Sequence, residues 1–268
     1  MTDTLYNSDV PFLHGSHVIV TGGGHGLGAT IAATLARAGA AVTVMGRDAT
    51  RLGDTADDLV SRFDVTVRAV VCDVSDRESI AVAFAAATDA LGSVDILVNN
   101  AGQARSAPFP ETSLELWQRT MDVNLTGPFL CTQQVLPSMI ETAGGRIVNI
   151  ASTAALRGYA TLAAYCASKH GLLGMTRALA AEVAQYGITV NAVCPGYTEG
   201  GMSEQAVQAI MAHSKVSAEE ALAKLVRRSP RQRLTTQNEV AATVAWLCSP
   251  DASAITGQAI TVAGGEVM

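Results

Sequence analysis

No apolar run in this chain approaches the roughly 18 residues that a membrane-spanning helix needs. The opening stretch MTDTLYNSDVPFLHGSH has no positively charged segment running into an apolar one, which predicts a cytoplasmic location. An excess of positive charge is missing as well: 24 acidic against 18 basic residues leave −6. That balance argues against broad contact with a nucleic-acid backbone or an anionic membrane. A C-x-x-C pair is absent, and the five cysteines, at 72, 131, 166, 194 and 248, are odd in number and widely spaced. No metal or redox dithiol is expected from them; they read as reduced thiols. Low-complexity linkers and tandem repeats are lacking too, so nothing marks a domain boundary. What remains is a 268-residue chain, 49 % apolar and 16 % charged, a composition that folds and a length that α/β folds often reach as one unit. The expected partner is a small molecule.

The chain does have a rhythm. Short β-branched runs at 17–21, 41–45, 66–71, 96–99, 146–151 and 189–193 alternate with amphipathic stretches such as 31–38 and 80–91. The runs are almost continuously apolar, the pattern of strands covered on both faces in a parallel sheet. The stretches between them are long enough for right-handed crossovers. This predicts an α/β fold with a doubly wound parallel sheet of the Rossmann type, a single domain over 1–268 with about seven strands and helices on both faces. The segment 197–237 breaks the rhythm with Gly200, Gly201 and two short helical patterns at 204–212 and 218–226. It reads as a helical substrate lid over the carboxyl edge of the sheet, where open α/β sheets bind ligands.

Straight after the first run comes Thr21-Gly22-Gly23-Gly24-His25-Gly26-Leu27-Gly28, leading into a helix. Glycines let the backbone approach a pyrophosphate closely, and a helix amino terminus offers free N–H groups and the positive end of its dipole. A turn rich in glycine for geometry alone is the plainer reading, but the strand, turn and helix context favours nucleotide binding. Further on, Tyr165 and Lys169 stand four residues apart in the proline-free segment 160–185, so both project from one helical face. An ammonium beside a phenol stabilises phenolate, which predicts a tyrosine pKa drawn down from about 10. Y-x-x-x-K alone is common in unrelated helices. Ser152, at the end of the 146–151 run, adds a hydroxyl at the same sheet edge.

The spacing T-G-x-x-x-G-x-G resembles that of the short-chain dehydrogenase/reductase family. Further motifs stand in that family's order: Cys72-Asp73-Val74, Asn99-Asn100-Ala101-Gly102, Asn124, Ser152, Tyr165, Lys169 and Pro195-Gly196. The resemblance runs from about residue 16 to 262. It implies hydride transfer between a nicotinamide dinucleotide and a carbinol or carbonyl carbon. By the same resemblance Gly22, Gly24, His25, Gly26, Leu27 and Gly28 hold the cofactor, together with Arg47, Asp73 and Val74. Asn99, Ala101 and Gly102 join them from the fourth strand, and Pro195, Gly196 and Thr198 from the sixth. Tyr165 would exchange a proton with the substrate oxygen, Ser152 would hydrogen-bond that oxygen, and Lys169 would also bind the nicotinamide ribose. Asn124 would hold a water that relays protons to the lysine. Gly200 stands where the family carries threonine, leaving the carboxamide contact to the backbone of Thr198. A homotetramer built through helices at 122–142 and 160–185 is implied as well.

Cofactor choice turns on Val44-Met45-Gly46-Arg47-Asp48. An acid at this strand end would accept from a ribose 2′-OH and repel a 2′-phosphate. Gly46 stands there, and Arg47 beside it can grip a phosphate, with His25 adding partial charge. NADP(H) is therefore expected over NAD(H), although Asp48 is placed to neutralise Arg47. On the substrate side, Ala154, Leu156, Leu162, Tyr197 and Met202 suggest a mainly apolar pocket. The family's 3-hydroxybutyrate branch carries Gln and His at positions matching Ala104 and Ala154, which argues against a small free hydroxy acid. Lys215, Lys224, Arg227, Arg228, Arg231 and Arg233, against Glu219 and Glu220, form a basic window around the lid. It suits the phosphates of coenzyme A or an acyl carrier, and equally a solvated helix face. Arg157 reads as an outward loop arginine. The expected substrate is a 3-oxoacyl or 3-hydroxyacyl thioester. The alternatives are a cyclic, aromatic or steroid-like secondary alcohol, and a non-catalytic NADP(H)-sensing protein.

Overall fold

The structure is a computed structural model that describes residues 11–267. The stretch 1–10, read above for targeting signals, and Met268 lie outside the described residues. Seven parallel strands form the sheet: β1 (His17–Thr21), β2 (Ala41–Gly46), β3 (Val67–Val71), β4 (Ile96–Asn99), β5 (Gly145–Ile150), β6 (Ile188–Pro195) and β7 (Ala259–Val262). Their order is β3-β2-β1-β4-β5-β6-β7. Strand order reverses between β1 and β4, which opens a crevice at their carboxyl ends.

Apolar stripes on the helices cover both faces. On one side α1 (Gly26–Arg37), α2 (Ala49–Arg62) and α9 (Gln237–Cys248) bury Ile31, Leu35, Leu52, Leu59, Val240 and Val244 against the sheet. On the other, α3 (Arg77–Leu91), α5 (Gly127–Glu141) and α6 (Ala163–Val183) contribute Ile80, Phe84, Val135, Met139 and Val183. β1, β4 and β6 are buried along their whole length. The expectation of double coverage fails for β3. It is an edge strand, and Arg68, Ala69 and Val71 are exposed because neighbours reach it from one side only. All five cysteines are buried and unpaired. Among the described residues no helix is long and apolar enough to cross a membrane.

Two helical expectations need correction. The segment 122–142 is not one α-helix. α4 (Leu114–Met121) precedes a π turn, Asp122–Thr126, in which the Gly127 N–H bonds back to the Asp122 carbonyl, and α5 follows. Gly127 presses against the chain after β3; a Cβ there would lie 2.6 Å from the Val74 carbonyl oxygen. The wider turn places Asn124, fully buried, on the sheet side. α6 starts at Ala163 and not at 160, because Thr161 sits at φ +64, outside helical space. Its hydroxyl meets that of Ser106 at 2.6 Å, and its carbonyl accepts from the Ala107 N–H.

α7 (Gly201–Ser214) and α8 (Ala218–Val226) occupy the segment that interrupts the sequence rhythm. Its base is pinned shut: Thr198 bridges Thr235, Glu199 N–H donates to the Thr235 carbonyl and Thr235 N–H to that of Tyr197, both at 2.9 Å. Gly200 starts α7 at φ +117, and a Cβ there would lie 2.8 Å from the Gln237 amide nitrogen. A threonine at that position would be strained and crowded.

Candidate active site

The glycine turn between β1 and α1 is held from β4. Asn100 donates its amide to the carbonyls of Thr21 (2.9 Å) and Gly22 (3.3 Å), and the Thr21 hydroxyl accepts from the Asn100 and Ala101 N–H groups. Gly22 and Gly26 adopt φ +68 and +55, and a Cβ on Gly28 would fall 2.1 Å from the Gly22 carbonyl oxygen. His25, exposed, precedes α1 without capping it, and the first turn carries no acid. The first turn of α1 is thus left without a capping side chain, the arrangement in which helix N–H groups are free to hold an anion. Asn100 was absent from the sequence-derived site, although its place between Asn99 and Ala101 was the available signal. The Asn99 amide turns into the sheet and donates to Asn149 (2.9 Å) and Thr132 (3.3 Å), which leaves its backbone to face the crevice.

Beyond β2, Arg47 is exposed and forms no ion pair among the described residues. Asp48 does not neutralise it. Asp48 caps α2, accepting from the Arg51 N–H at 3.2 Å, and pairs with the Arg51 guanidinium at 3.3 Å. Burial alone would raise the Asp73 carboxyl, but the N–H and hydroxyl of Ser75, with Arg47 and Arg119 nearby, hold it below its usual range. Val74 is buried beside it, and Gly102 ends the β4 motif. A cavity of about 570 Å³ lies between α1 and α2, bordered by Gly24, His25 and Arg51.

At the other end, Ser152 follows β5 by two residues and starts a short 3-10 turn. Its hydroxyl accepts from the Ala154 N–H and lies close enough to the half-buried phenol of Tyr165 on α6 to favour the phenolate. Lys169, 4 % exposed, lies one turn on, with Nζ 5.8 Å from the Tyr165 ring centre and donating to the Ile150 carbonyl at 2.8 Å. The expected lowering of the phenol pKa does not occur. Burial pushes Tyr165 up to about 12, against the pull of the Ser152 hydroxyl, and burial drives Lys169 down to about 8. Desolvation is the largest cause of both shifts, and neither group is among the causes that act on the other.

Asn124 donates to the Gln103 carbonyl (2.8 Å) and to Ser168 (3.1 Å) and accepts from the Gln103 N–H (2.9 Å). Its oxygen and Lys169 Nζ both border Gly102, 3.4 and 3.6 Å from where a Cβ would sit. Pro195 ends β6. Thr198 donates its hydroxyl to the Gly196 carbonyl, while its own carbonyl accepts from Ser203.

On the substrate side Ala154 is buried, whereas Met202 is 51 % exposed on α7. Arg157 does not point away from the site; its guanidinium lies 4.9 Å from the Tyr159 ring centre, and Tyr159 meets Tyr197 edge to face at 6.4 Å. The basic window loses two members, as Arg231 and Arg233 both pair with Glu239 at 2.7 Å. Tyr159, Glu266 and Gln237 escaped the sequence reading. Gln237 accepts from Thr30 of α1 and donates to the Glu199 carbonyl, tying the glycine-turn helix to the base of the lid.

The profile of the short chain dehydrogenases matches residues 16–211. The granaticin polyketide synthase putative ketoacyl reductase 1 of Streptomyces violaceoruber is 43 % identical over 250 residues, 92 % of this chain and 91 % of that protein. The 3-oxoacyl-acyl-carrier-protein reductase of Aquifex aeolicus is 38 % identical over 253 residues, 94 % and 98 % of the two chains. Among solved structures, a variant actinorhodin polyketide ketoreductase with NADPH superposes with a TM-score of 0.90 at 41 % identity, covering 94 % of this chain and 97 % of that one.

Proposed function

The chain belongs to the short-chain dehydrogenase family, and on that premise we propose that it reduces the ketone of a 3-oxoacyl thioester, with NADPH as reductant. It is an oxidoreductase acting between ketone and alcohol. The observation that carries the reading is the meeting of Ser152, Tyr165 and Lys169 at the carboxyl ends of β5 and β6. The residues present also fit a dinucleotide: the uncapped start of α1 and a turn in which Gly28 leaves no room for a Cβ form an anion cradle.

A bound nicotinamide supplies the hydride. Tyr165 gives its proton to the carbonyl oxygen, and a phenol at about 12 is in the protonated form this step needs. Ser152 donates to the same oxygen and steadies the developing negative charge. Lys169, near 8, exchanges protons in the working pH range and replenishes Tyr165, with Asn124 bordering the same space. The residues act by position and electrostatics. A protein that only senses the dinucleotide would have no use for this buried amine held on the Ile150 carbonyl.

The test is turnover of a 3-oxoacyl thioester against a cyclic ketone with NADPH. Preference for the thioester supports the reading, and preference for the cyclic ketone replaces it with the second one. That second reading, a ring-shaped substrate, is favoured by the Tyr159–Tyr197 pair at the mouth of the site. NADPH preference rests on Arg47, exposed and unpaired among the described residues while Asp48 is engaged elsewhere. Arg47→Ala should raise the KM for NADPH about tenfold, the scale of one charge-assisted phosphate contact, with the KM for NADH nearly constant. Equal changes for both cofactors would remove Arg47 from the selection. Self-association is part of the same proposal; Phe129 and Ile140 remain exposed on α5.

A further inference from the structure

We propose that Glu266 is a specificity-determining residue whose carboxylate, fixed beside the substrate cleft by Tyr159, disfavours ketones that carry a free carboxylate. The inference rests on the reading of Tyr165 and Ser152 as the groups that receive the substrate carbonyl.

The chain leaves β7 and turns through Gly264 (φ +60) and Gly265 (φ +87). That turn brings Glu266 back over the carboxyl edge of β6, where a Cβ on Gly196 would lie 3.0 Å from Glu266 Oε2. Glu266 Oε1 accepts the Tyr159 hydroxyl at 2.6 Å. The Tyr159 oxygen in turn lies 2.7 Å from Thr153 Oγ1. Since the one phenolic proton goes to Glu266, Thr153 is the donor in that second contact. Thr153 is the residue after Ser152, so two hydrogen bonds tie the carboxylate to the turn that presents the catalytic hydroxyl.

Among the described residues Glu266 makes no ion pair. Arg157 is stacked on the Tyr159 ring, and Arg233, which borders a small cavity with Glu266, spends its guanidinium on Glu239 and the Leu234 carbonyl. Tyr197, Leu225 and Val226 border the same cavity. Ser229, Thr235 and Ala263 complete its lining, so Glu266 is the one acidic group on a wall whose only cation, Arg233, is already paired with Glu239. Burial and the Glu266 hydrogen bond push the Tyr159 phenol above its usual range, so it remains a donor and keeps the carboxylate in place. An incoming carboxylate would meet a like charge in a partly desolvated cleft, whereas an ester or thioester of the same chain would not. Specificity by a built-in repulsion of this kind needs no contact with the favoured substrate.

The experiment measures kcat/KM with NADPH for a free 3-oxo acid and for the neutral ester of equal chain length, in wild type and in Glu266→Gln. The glutamine keeps an oxygen to accept from Tyr159 and removes only the charge. The expected result is an acid-to-ester ratio about tenfold higher in the variant, the scale of one like-charge contact in a partly screened site. In wild type the same ratio should rise with ionic strength. A ratio unchanged within about twofold, or a uniform fall for both substrates, assigns Glu266 to structure only and overturns the inference. Wild-type enzyme that turns over neither substrate would instead overturn the reading of Tyr165 and Ser152, and this inference with it.

Discussion

Tyr165→Phe should lower kcat by at least about 100-fold, the usual scale for loss of a general acid, while the affinity for NADPH changes little. The variant removes one oxygen from a side chain whose ring remains packed on α6, and Ser152 and Lys169 keep their backbone anchors, the Ala154 N–H and the Ile150 carbonyl. The effect is therefore confined to proton donation. Single-turnover kinetics with fluorescence titration of NADPH separates the two quantities. A variant that retains most of its turnover would show that the substrate oxygen takes its proton elsewhere. A variant that loses cofactor affinity in proportion would show that the phenol acts mainly as a ribose contact.

Gly28→Ala should abolish measurable NADPH binding, weakening it by about 100-fold or more. The added methyl would stand 2.1 Å from the Gly22 carbonyl oxygen and 2.5 Å from the Asn100 amide nitrogen. The first of these is backbone, so relief requires the turn to open, and an overpacked position of this kind costs about 1–3 kcal/mol even where neighbours can move. Opening the turn also breaks the hydrogen bonds through which Asn100 holds it. Gly53→Ala is the control. Gly53 lies within α2 with nothing inside 4 Å of a Cβ, so that change should leave binding intact and stabilise the helix by about 0.5–1 kcal/mol. Normal binding by Gly28→Ala, measured by calorimetry, would mean that the turn does not hold the pyrophosphate.

The contrast between Asn99 and Asn100 shows what the sequence makes legible. The order of motifs locates the strand end, but successive residues leave a strand on opposite sides. Asn99, in register with Asn149 on β5, faces the sheet interior, and Asn100 reaches the glycine turn. The continuously apolar runs gave the central strands correctly because β1, β4 and β6 have neighbours on both edges. They misjudged β3, whose coverage depends on its position in the sheet and not on its own residues.

The π turn at Asp122–Thr126 was not legible; Gly127, which closes it, packs against Val74, far away in sequence. The spacing of Tyr165 and Lys169 correctly puts them on one face of α6. It says nothing about depth, and depth is what raises one pKa and lowers the other. Glu266 and Tyr159 are 107 positions apart, and only the folded turn after β7 joins them.

The most direct test is a crystal structure of the protein with NADPH and an unreactive ketone analogue. The account predicts the analogue's oxygen within about 2.6–3.2 Å of both the Tyr165 and Ser152 hydroxyls, with its carbonyl carbon facing nicotinamide C4. A complex in which that oxygen is bound by other groups, with Tyr165 turned away from the nicotinamide, would contradict it.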